Sequence, residues 1–209
     1  MARASRPDRL RRHWDRQAAG YDARMSRADR LLGDTRAWVC GQATGRVLEV
    51  AVGTGLNLGL YPASAALAGM DLSPAMLEVA RRRADDLGRD VDLSVGDAQR
   101  LEFADASFDT VVCTFGLCSV PDDRGAVDEM VRVLRPGGLL LLADHVVSTS
   151  APVRMLQALA ELYTVPVENE HFRRRPFVHV QAAGLHVERH DRFSRGTVER
   201  LAARKPASA

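Results

Sequence analysis

Two rhythms of apolar and polar positions divide the chain. Up to about residue 41 the apolar residues recur every three or four positions. Trp14, Ala18, Tyr21 and Met25 predict a helix from His13, and Leu31, Leu32, Thr35, Trp38 and Val39 predict a second. Residues 1–12 are basic and read as a frayed arm. From Arg46 the pattern changes to short, nearly unbroken apolar runs, which suit strands buried on both faces. Such runs cover Arg46–Val50, Ala65–Met70, Val91–Val95, Ser107–Thr114 and Leu139–Ala143. Between them the expected helices are a short one after the Gly53/Gly55 turn, ended by Tyr61-Pro62, then Met76–Ala84 and Asp128–Leu134. Ser73-Pro74 caps the second of these. Helices over Val153–Thr164 and Phe177–Ala183 follow, and Leu185–Phe193 with Thr197–Arg204 form a hairpin around Ser194-Arg195-Gly196. The sum is an α/β fold with a seven-stranded, mostly parallel sheet and a C-terminal antiparallel hairpin. Helices cover both faces. Residues 1–42 make an N-terminal helical arm and cap, and 43–206 the body, with a helical lid insertion at about 148–176.

Composition narrows the classes of function. A chain of 209 residues suits one domain, or one with a small lid. It has no run of about 18 apolar residues to span a membrane, so no integral membrane association is expected. The net charge of +2 is too small to imply a nucleic-acid partner, and the arginines are spread rather than gathered in a stripe. Lys205 is the only lysine. Cys40, Cys113 and Cys118 form neither a disulfide framework nor a metal-ligand spacing, so no metal is expected and a reducing, cytoplasmic location is. Asp8 and Asp15 interrupt the Arg-rich start, which therefore does not read as a transit peptide.

The candidate chemistry is concentrated in Arg46-Val47-Leu48-Glu49-Val50-Ala51-Val52-Gly53-Thr54-Gly55-Leu56-Asn57-Leu58. A strand running into a glycine turn brings backbone N–H groups close to a ligand with no Cβ in the way. Asp71 closes the next strand, about 20 residues on, where a carboxylate can accept both hydroxyls of a ribose. The pair implies a nucleoside-containing cofactor. Leu58 stands where a dinucleotide fingerprint has its third glycine, and no phosphate-loop Gly-Lys-Ser/Thr follows.

The stretch Glu49-Val50-Ala51-Val52-Gly53-Thr54-Gly55 resembles motif I of the class I S-adenosylmethionine-dependent methyltransferases, and the motifs after it keep that family's order. The resemblance implies a Rossmann-like sheet, S-adenosyl-L-methionine as methyl donor and S-adenosyl-L-homocysteine as product. Glu49 would work near the cofactor's amino-acid end, or else cap a helix or pair with an arginine. Ala51, Gly53, Thr54 and Gly55 form the turn, and Asn57 meets the cofactor carboxylate or caps the helix. Trp14-Asp15-x5-Tyr21-Asp22 resembles the family's N-terminal cap, with Tyr21 reaching over the cofactor, although both aromatics also fit a plain apolar stripe. Leu72 and Met76 pack on the adenine or in the core. Asp97-Ala98-Gln99 resembles the adenine-binding loop, where Asp97 is otherwise a turn residue. Thr114, Phe115 and Cys118, at the end of the fourth strand, would flank the sulfonium.

Val-Leu-Arg-Pro-Gly-Gly (133–138) is a family mark with a structural role. The 111–120 stretch and the run to Asp144-His145 look like the branch that includes alkyl-thiol methyltransferases, and the Gly53-to-Pro62 segment also fits bacterial phospholipid N-methyltransferases. Two departures are Asp144 where the mammalian members carry glutamate and the lack of an apolar N-terminal anchor. His145 is the candidate base, titrating near neutral pH, with Asp144 orienting it or binding the acceptor; His145 packing against its neighbours is the competing expectation. The apolar stripe Val153, Leu156, Leu159, Ala160, Tyr163 covers either a hydrophobic acceptor, the core or a dimer partner. Arg173-Arg174-Arg175 reads as a solvated patch or a site for an anionic head group. The expected reaction is in-line methyl transfer to a small, fairly hydrophobic acceptor: a thiol, phenol, quinone precursor, lipid amine or secondary metabolite. Peripheral membrane contact and a monomer or homodimer are compatible with this. The alternatives are a non-catalytic cofactor-binding regulatory module and a nicotinamide-dependent oxidoreductase. Leu58 and the hairpin disfavour the latter.

Overall fold

A computed structural model describes residues 6–207. Seven strands form one sheet in the order β3-β2-β1-β4-β5-β7-β6. They are β1 (Arg46–Val50), β2 (Ala66–Asp71), β3 (Val91–Val95), β4 (Phe108–Thr114), β5 (Leu134–His145), β6 (His186–Phe193) and β7 (Val198–Arg204). β1 to β5 run parallel, and β7 lies antiparallel to both β5 and β6. The predicted architecture is therefore the observed one. Val50 pairs with Met70 on one side and Cys113 on the other, so β1, β2 and β4 end level. The strand order reverses direction between β1 and β4, and open α/β sheets bind ligands beyond the strand ends at such a point.

The core lies on both faces. Leu48, Val50, Met70, Phe108 and Met130 pack on one side, under α5 (Asp123–Val133) and α7 (Phe177–Ala182). Val39, Val47, Leu77 and Leu141 pack on the other, under α3 (Thr35–Cys40) and α4 (Pro74–Asp86). Ser73 caps α4, its hydroxyl accepting from the Met76 N–H at 3.2 Å, as the Ser-Pro signal predicted.

Several predicted boundaries move, each for a local reason. Residues 6–12 of the expected arm are helical: α1 spans Arg6–Gln17, and residues 1–5 lie outside the described residues. The first cap helix is broken by a 3-10 turn at Ala18–Gly20 before α2 (Tyr21–Leu32). Gly33, with φ +60°, then divides the predicted second helix, and α3 starts only at Thr35. The glycine turn after β1 opens no α-helix, only a 3-10 turn at Leu58–Leu60. α5 begins five residues early because the Asp122 carboxylate accepts from the Gly125 N–H at 3.0 Å. The Arg-Pro-Gly-Gly turn is a bulge inside a longer β5. Phe108 pairs with Leu134 and Thr110 with Leu139, so residues 135–138 leave the ladder. Lys205 closes it, its backbone N–H donating to Gly138 O and its ammonium to the Val131 and Leu134 carbonyls.

The largest difference lies in α6 (Ala151–Glu168). Its predicted stripe covers neither pocket nor core. Leu156, Leu159 and Tyr163 are exposed, while Gln157 and Glu161 face the body.

Candidate functional site

The carboxyl ends of β1, β2 and β4 border a cleft open to solvent, at the place where open α/β sheets bind small molecules. Leu10, Trp14 and Tyr21 of the cap form its roof. Ala51 and Gly53, Asp71 with Leu72 and Met76, the Asp97-Ala98-Gln99 loop, and Thr114-Phe115 complete the wall. The structure thus brings eleven of the sixteen predicted cofactor-binding residues to one cleft, from sequence positions as far apart as 21 and 115. Glu49, Thr54, Gly55, Asn57 and Cys118 lie behind that wall.

The glycine turn is shaped by two close demands. Gly53 has φ +57°, and a Cβ there would meet nothing within 4 Å, so its backbone faces open space. Gly55 has φ +78°, and a Cβ would come 2.8 Å from Leu58 Cδ1 and 3.3 Å from the Ala80 backbone of α4. Asp71 joins the turn to β2: Oδ2 accepts from the Gly53 N–H at 2.9 Å and Oδ1 from the Ser73 N–H at 2.8 Å. Burial pushes its carboxyl up to about 6 despite those donors. In the Asp97 loop, Oδ1 accepts from the Gln99 backbone and side-chain N–H groups, both at 2.9 Å.

Behind the turn, Glu49 is fully buried and both its oxygens are engaged. Oε1 accepts from the Asn57 amide at 2.6 Å and Oε2 from the Tyr61 hydroxyl at 2.9 Å. Burial raises its carboxyl to about 7. Asn57 therefore caps no helix. It links Glu49 to the Thr114 hydroxyl at 2.9 Å and accepts from Arg36 at 3.1 Å. Arg36, which sequence reasoning passed over, also reaches Thr114 Oγ1 at 3.3 Å and sits 5.1 Å over the Phe115 ring. The only signal was its position one helical turn before Cys40 on the inward face of α3.

The cap is fastened by the two aspartates of the Trp14–Asp22 motif. Asp15 Oδ1 accepts from the Ser73 hydroxyl at 2.6 Å, at the N-terminus of α4. Asp22 accepts from the Thr54 hydroxyl at 2.6 Å and pairs with Arg83 on α4. Trp14 and Tyr21 meet edge to face at 6.3 Å, so the stripe packs on itself as well as roofing the cleft.

Comparisons with known proteins agree with this geometry. A family model described as a methyltransferase domain matches residues 48–142. A demethylmenaquinone methyltransferase of Renibacterium salmoninarum is 39% identical over 165 residues, 74% of this chain and 67% of that protein. The chain belongs to the class I S-adenosylmethionine-dependent methyltransferases. A phosphatidylethanolamine N-methyltransferase of Cereibacter sphaeroides is 41% identical over 115 residues, 54% of this chain. The matched segment there spans 57% of the relative's own length. A solved SAM-dependent methyltransferase of Thermotoga maritima shares the fold, with TM-score 0.70 and 23% identity over 93% of this chain and 99% of that one.

Just beyond the ends of β1 and β4, the backbone of the methyltransferase cleft is strained. Ala51 and Phe115 both line the cleft with φ of +57° and +55°, a conformation that costs non-glycine residues about 1–3 kcal/mol. The Phe115 N–H donates to Ala143 O at 2.7 Å, fixing it. The His145 ring stands 5.0 Å from Phe115 and 6.4 Å from Phe172. Burial and the nearby Arg36 cation push its imidazole down to about 4, so it does not titrate near neutral pH as the sequence led us to expect. Asp144 does not touch that ring. Its oxygens accept from the backbone N–H of Cys118 at 3.1 Å and of His145 at 2.7 Å, and burial raises it to about 6. Neither residue lines the cleft directly.

The arginine run is not a solvated patch. Arg173 bonds Glu161 at 2.6 Å, Arg175 bonds Glu199 at 3.0 Å, and Arg174 holds the Leu117, Val120 and Pro121 carbonyls at the cleft edge.

Proposed function

We propose that this protein transfers a methyl group from S-adenosylmethionine to a lipid-soluble acceptor carrying a phenol- or quinol-like ring. The observation that carries the reading is the cleft itself: Gly53 opens into free space beside the Asp71 carboxylate, and Phe115 lies at its far end. The free face at Gly53 leaves room for close approach of a ligand to the backbone, so the residues present fit the donor. Asp71 would hold its ribose, Asp97 with Ala98 its adenine, and Glu49, Asn57 and Arg36 its amino-acid end. When bound, the donor supplies a methyl group made electrophilic by a sulfonium.

The chain's own groups orient and exclude water. Tyr21 and Trp14 roof the cleft, while Phe115 offers an aromatic wall to the acceptor, backed by the His145 ring, which itself meets Phe172. A neutral imidazole with a lowered pKa is a weak base, and both oxygens of Asp144 are taken by backbone donors. Positioning would supply most of the acceleration, about 7–11 kcal/mol where alignment is good, and the acceptor's proton would leave to water. The names of the two relatives, a lipid and a lipid-soluble quinone precursor, support an apolar acceptor. The quinone relative matches more of the chain, 74% against 54%.

Calorimetric titration with S-adenosylhomocysteine, with NADH as control, is the test. Micromolar binding of the first alone is expected, followed by transfer of labelled methyl to a short-chain naphthoquinol. NADH binding, or none by either, overturns the cofactor assignment. Tight homocysteine-adduct binding with no transfer to quinol, phenol, thiol or lipid amine would make the protein a non-catalytic binding module.

A further inference from the structure

α6 is anchored by its polar side and turns its apolar side to solvent. Gln157 is buried, its amide donating to Val146 O at 2.9 Å and Phe172 O at 3.1 Å while its oxygen accepts from the Ser148 N–H at 2.9 Å. One turn on, Glu161 is also buried and holds the Arg173 backbone and guanidinium at 2.8 and 2.6 Å. The opposite face carries Met155, Leu156, Leu159, Leu162, Tyr163 and Val167, each 49–76% exposed. These are six of the ten exposed large apolar side chains among the described residues. A contiguous bare patch of this kind on a water-soluble surface marks an interaction site.

We infer that this face docks on an anionic lipid surface, with α6 lying flat in the interface. Charge selects that occupant. The exposed positions of α6 include no carboxylate, and their one charged residue is Arg154. Beside the helix's C-terminal end, the exposed Arg9, Arg12 and Arg16 of α1 share a groove with Val165–Asn169. An apolar face flanked by cations is the pattern of an interfacial helix on acidic lipid. A second copy laid against the same face would meet Arg154 and the α1 arginines with no exposed carboxylate of its own α6, whose one nearby acid, Glu168, is half-buried in the arginine groove. No helix among the described residues is long and apolar enough to cross a membrane, so the contact is with the surface. Leu10 lines both the arginine groove and the cofactor cleft, so the docked face adjoins the site. The inference concerns the surface alone and stands whether or not methyl transfer is confirmed.

The test is co-flotation of the full chain with vesicles of phosphatidylcholine alone and of phosphatidylcholine mixed equally with phosphatidylglycerol. Binding should favour the mixed vesicles by about tenfold or more and weaken as salt rises. Leu159→Glu with Leu162→Glu should abolish it, and Arg12→Gln with Arg16→Gln should weaken it roughly tenfold. Both variants should keep wild-type melting and S-adenosylhomocysteine affinity. Hydrogen exchange on the unmutated chain gives a second readout, since residues 151–168 should gain protection on the mixed vesicles. Absence of vesicle binding, binding indifferent to the Leu159/Leu162 change, or a solution dimer that this change dissolves would each overturn the proposal.

Discussion

At the scale of single residues, Asp71 has a structural and a proposed binding role that can be separated. Its two oxygens hold the Gly53 and Ser73 N–H groups, so the carboxylate shapes the turn before any ligand arrives. Asp71→Ala leaves both donors without an acceptor and should lower the melting temperature as well as the affinity. A buried polar group stripped of its partner costs about 1–3 kcal/mol, or roughly 5- to 150-fold in S-adenosylhomocysteine affinity by calorimetry. Asp71→Asn keeps one acceptor oxygen but turns its NH2 towards the other backbone donor, so melting should recover only in part while binding stays weakened. Wild-type affinity in Asp71→Ala would remove the residue from the site. The aspartate was legible in the sequence because position after a strand fixes what its carboxylate can reach. The surroundings of Glu49 and His145 were not. Their partners, Asn57, Tyr61, Arg36 and Phe172, come from elsewhere in the chain, and only the fold sets the burial that moves their titration.

At the scale of elements, the cap is held to the body by a few polar fasteners more than by core packing. Asp22 is the most economical to test. It accepts from Thr54, next to Gly53, and pairs with Arg83, whose second guanidinium nitrogen is buried without a hydrogen-bond partner. Asp22→Ala removes both contacts and leaves Arg83 with less compensation. Hydrogen exchange over residues 8–26 should speed up and S-adenosylhomocysteine affinity should fall, while the sheet keeps its protection. Uniform loosening of the whole molecule would show that the cap and sheet unfold together, and unchanged exchange would show that the fastener is redundant. The cap helices were legible as a pattern but not in their breaks at Gly20 and Gly33. For α6 the helical period revealed an apolar face without revealing its direction, because hydrogen bonds made by Gln157 and Glu161 chose the inward side.

At the scale of the whole molecule, the sheet was readable because strands buried on both faces write continuous apolar runs, whereas the ionisation of the interior is a property of the assembled fold. Burial raises Glu49 to about 7, Asp71 to about 6, Asp144 to about 6 and Glu170 to about 7. Each of these carboxyls binds its proton more tightly folded than unfolded. Their contribution to stability is therefore full below about pH 4 and lost as pH rises through 6 to 7. His145 acts in the opposite sense. Held near 4 when folded and near 6.5 when unfolded, it withdraws stability as pH falls towards 4. Glu129 and Glu188, lowered by Arg132 and Arg204, change stability only below their ordinary 4.5, outside this window. Four carboxyls outweigh two imidazoles, His145 and the partly buried His13, which burial also lowers, so the ligand-free protein should melt lower at pH 8 than at pH 5.5. Calorimetric melting at the two pH values measures this, with each kcal/mol worth about 2–4 °C for a chain of this size. Glu49→Gln keeps the shape and removes one titration, so it should narrow the gap by raising the pH 8 value. A melting temperature that rises between pH 5.5 and 8 would mean that these carboxylates are charged and compensated in the folded state, with Arg36 then the cation beside Glu49 and a buried ion pair, rather than a buried acid, standing behind the glycine turn.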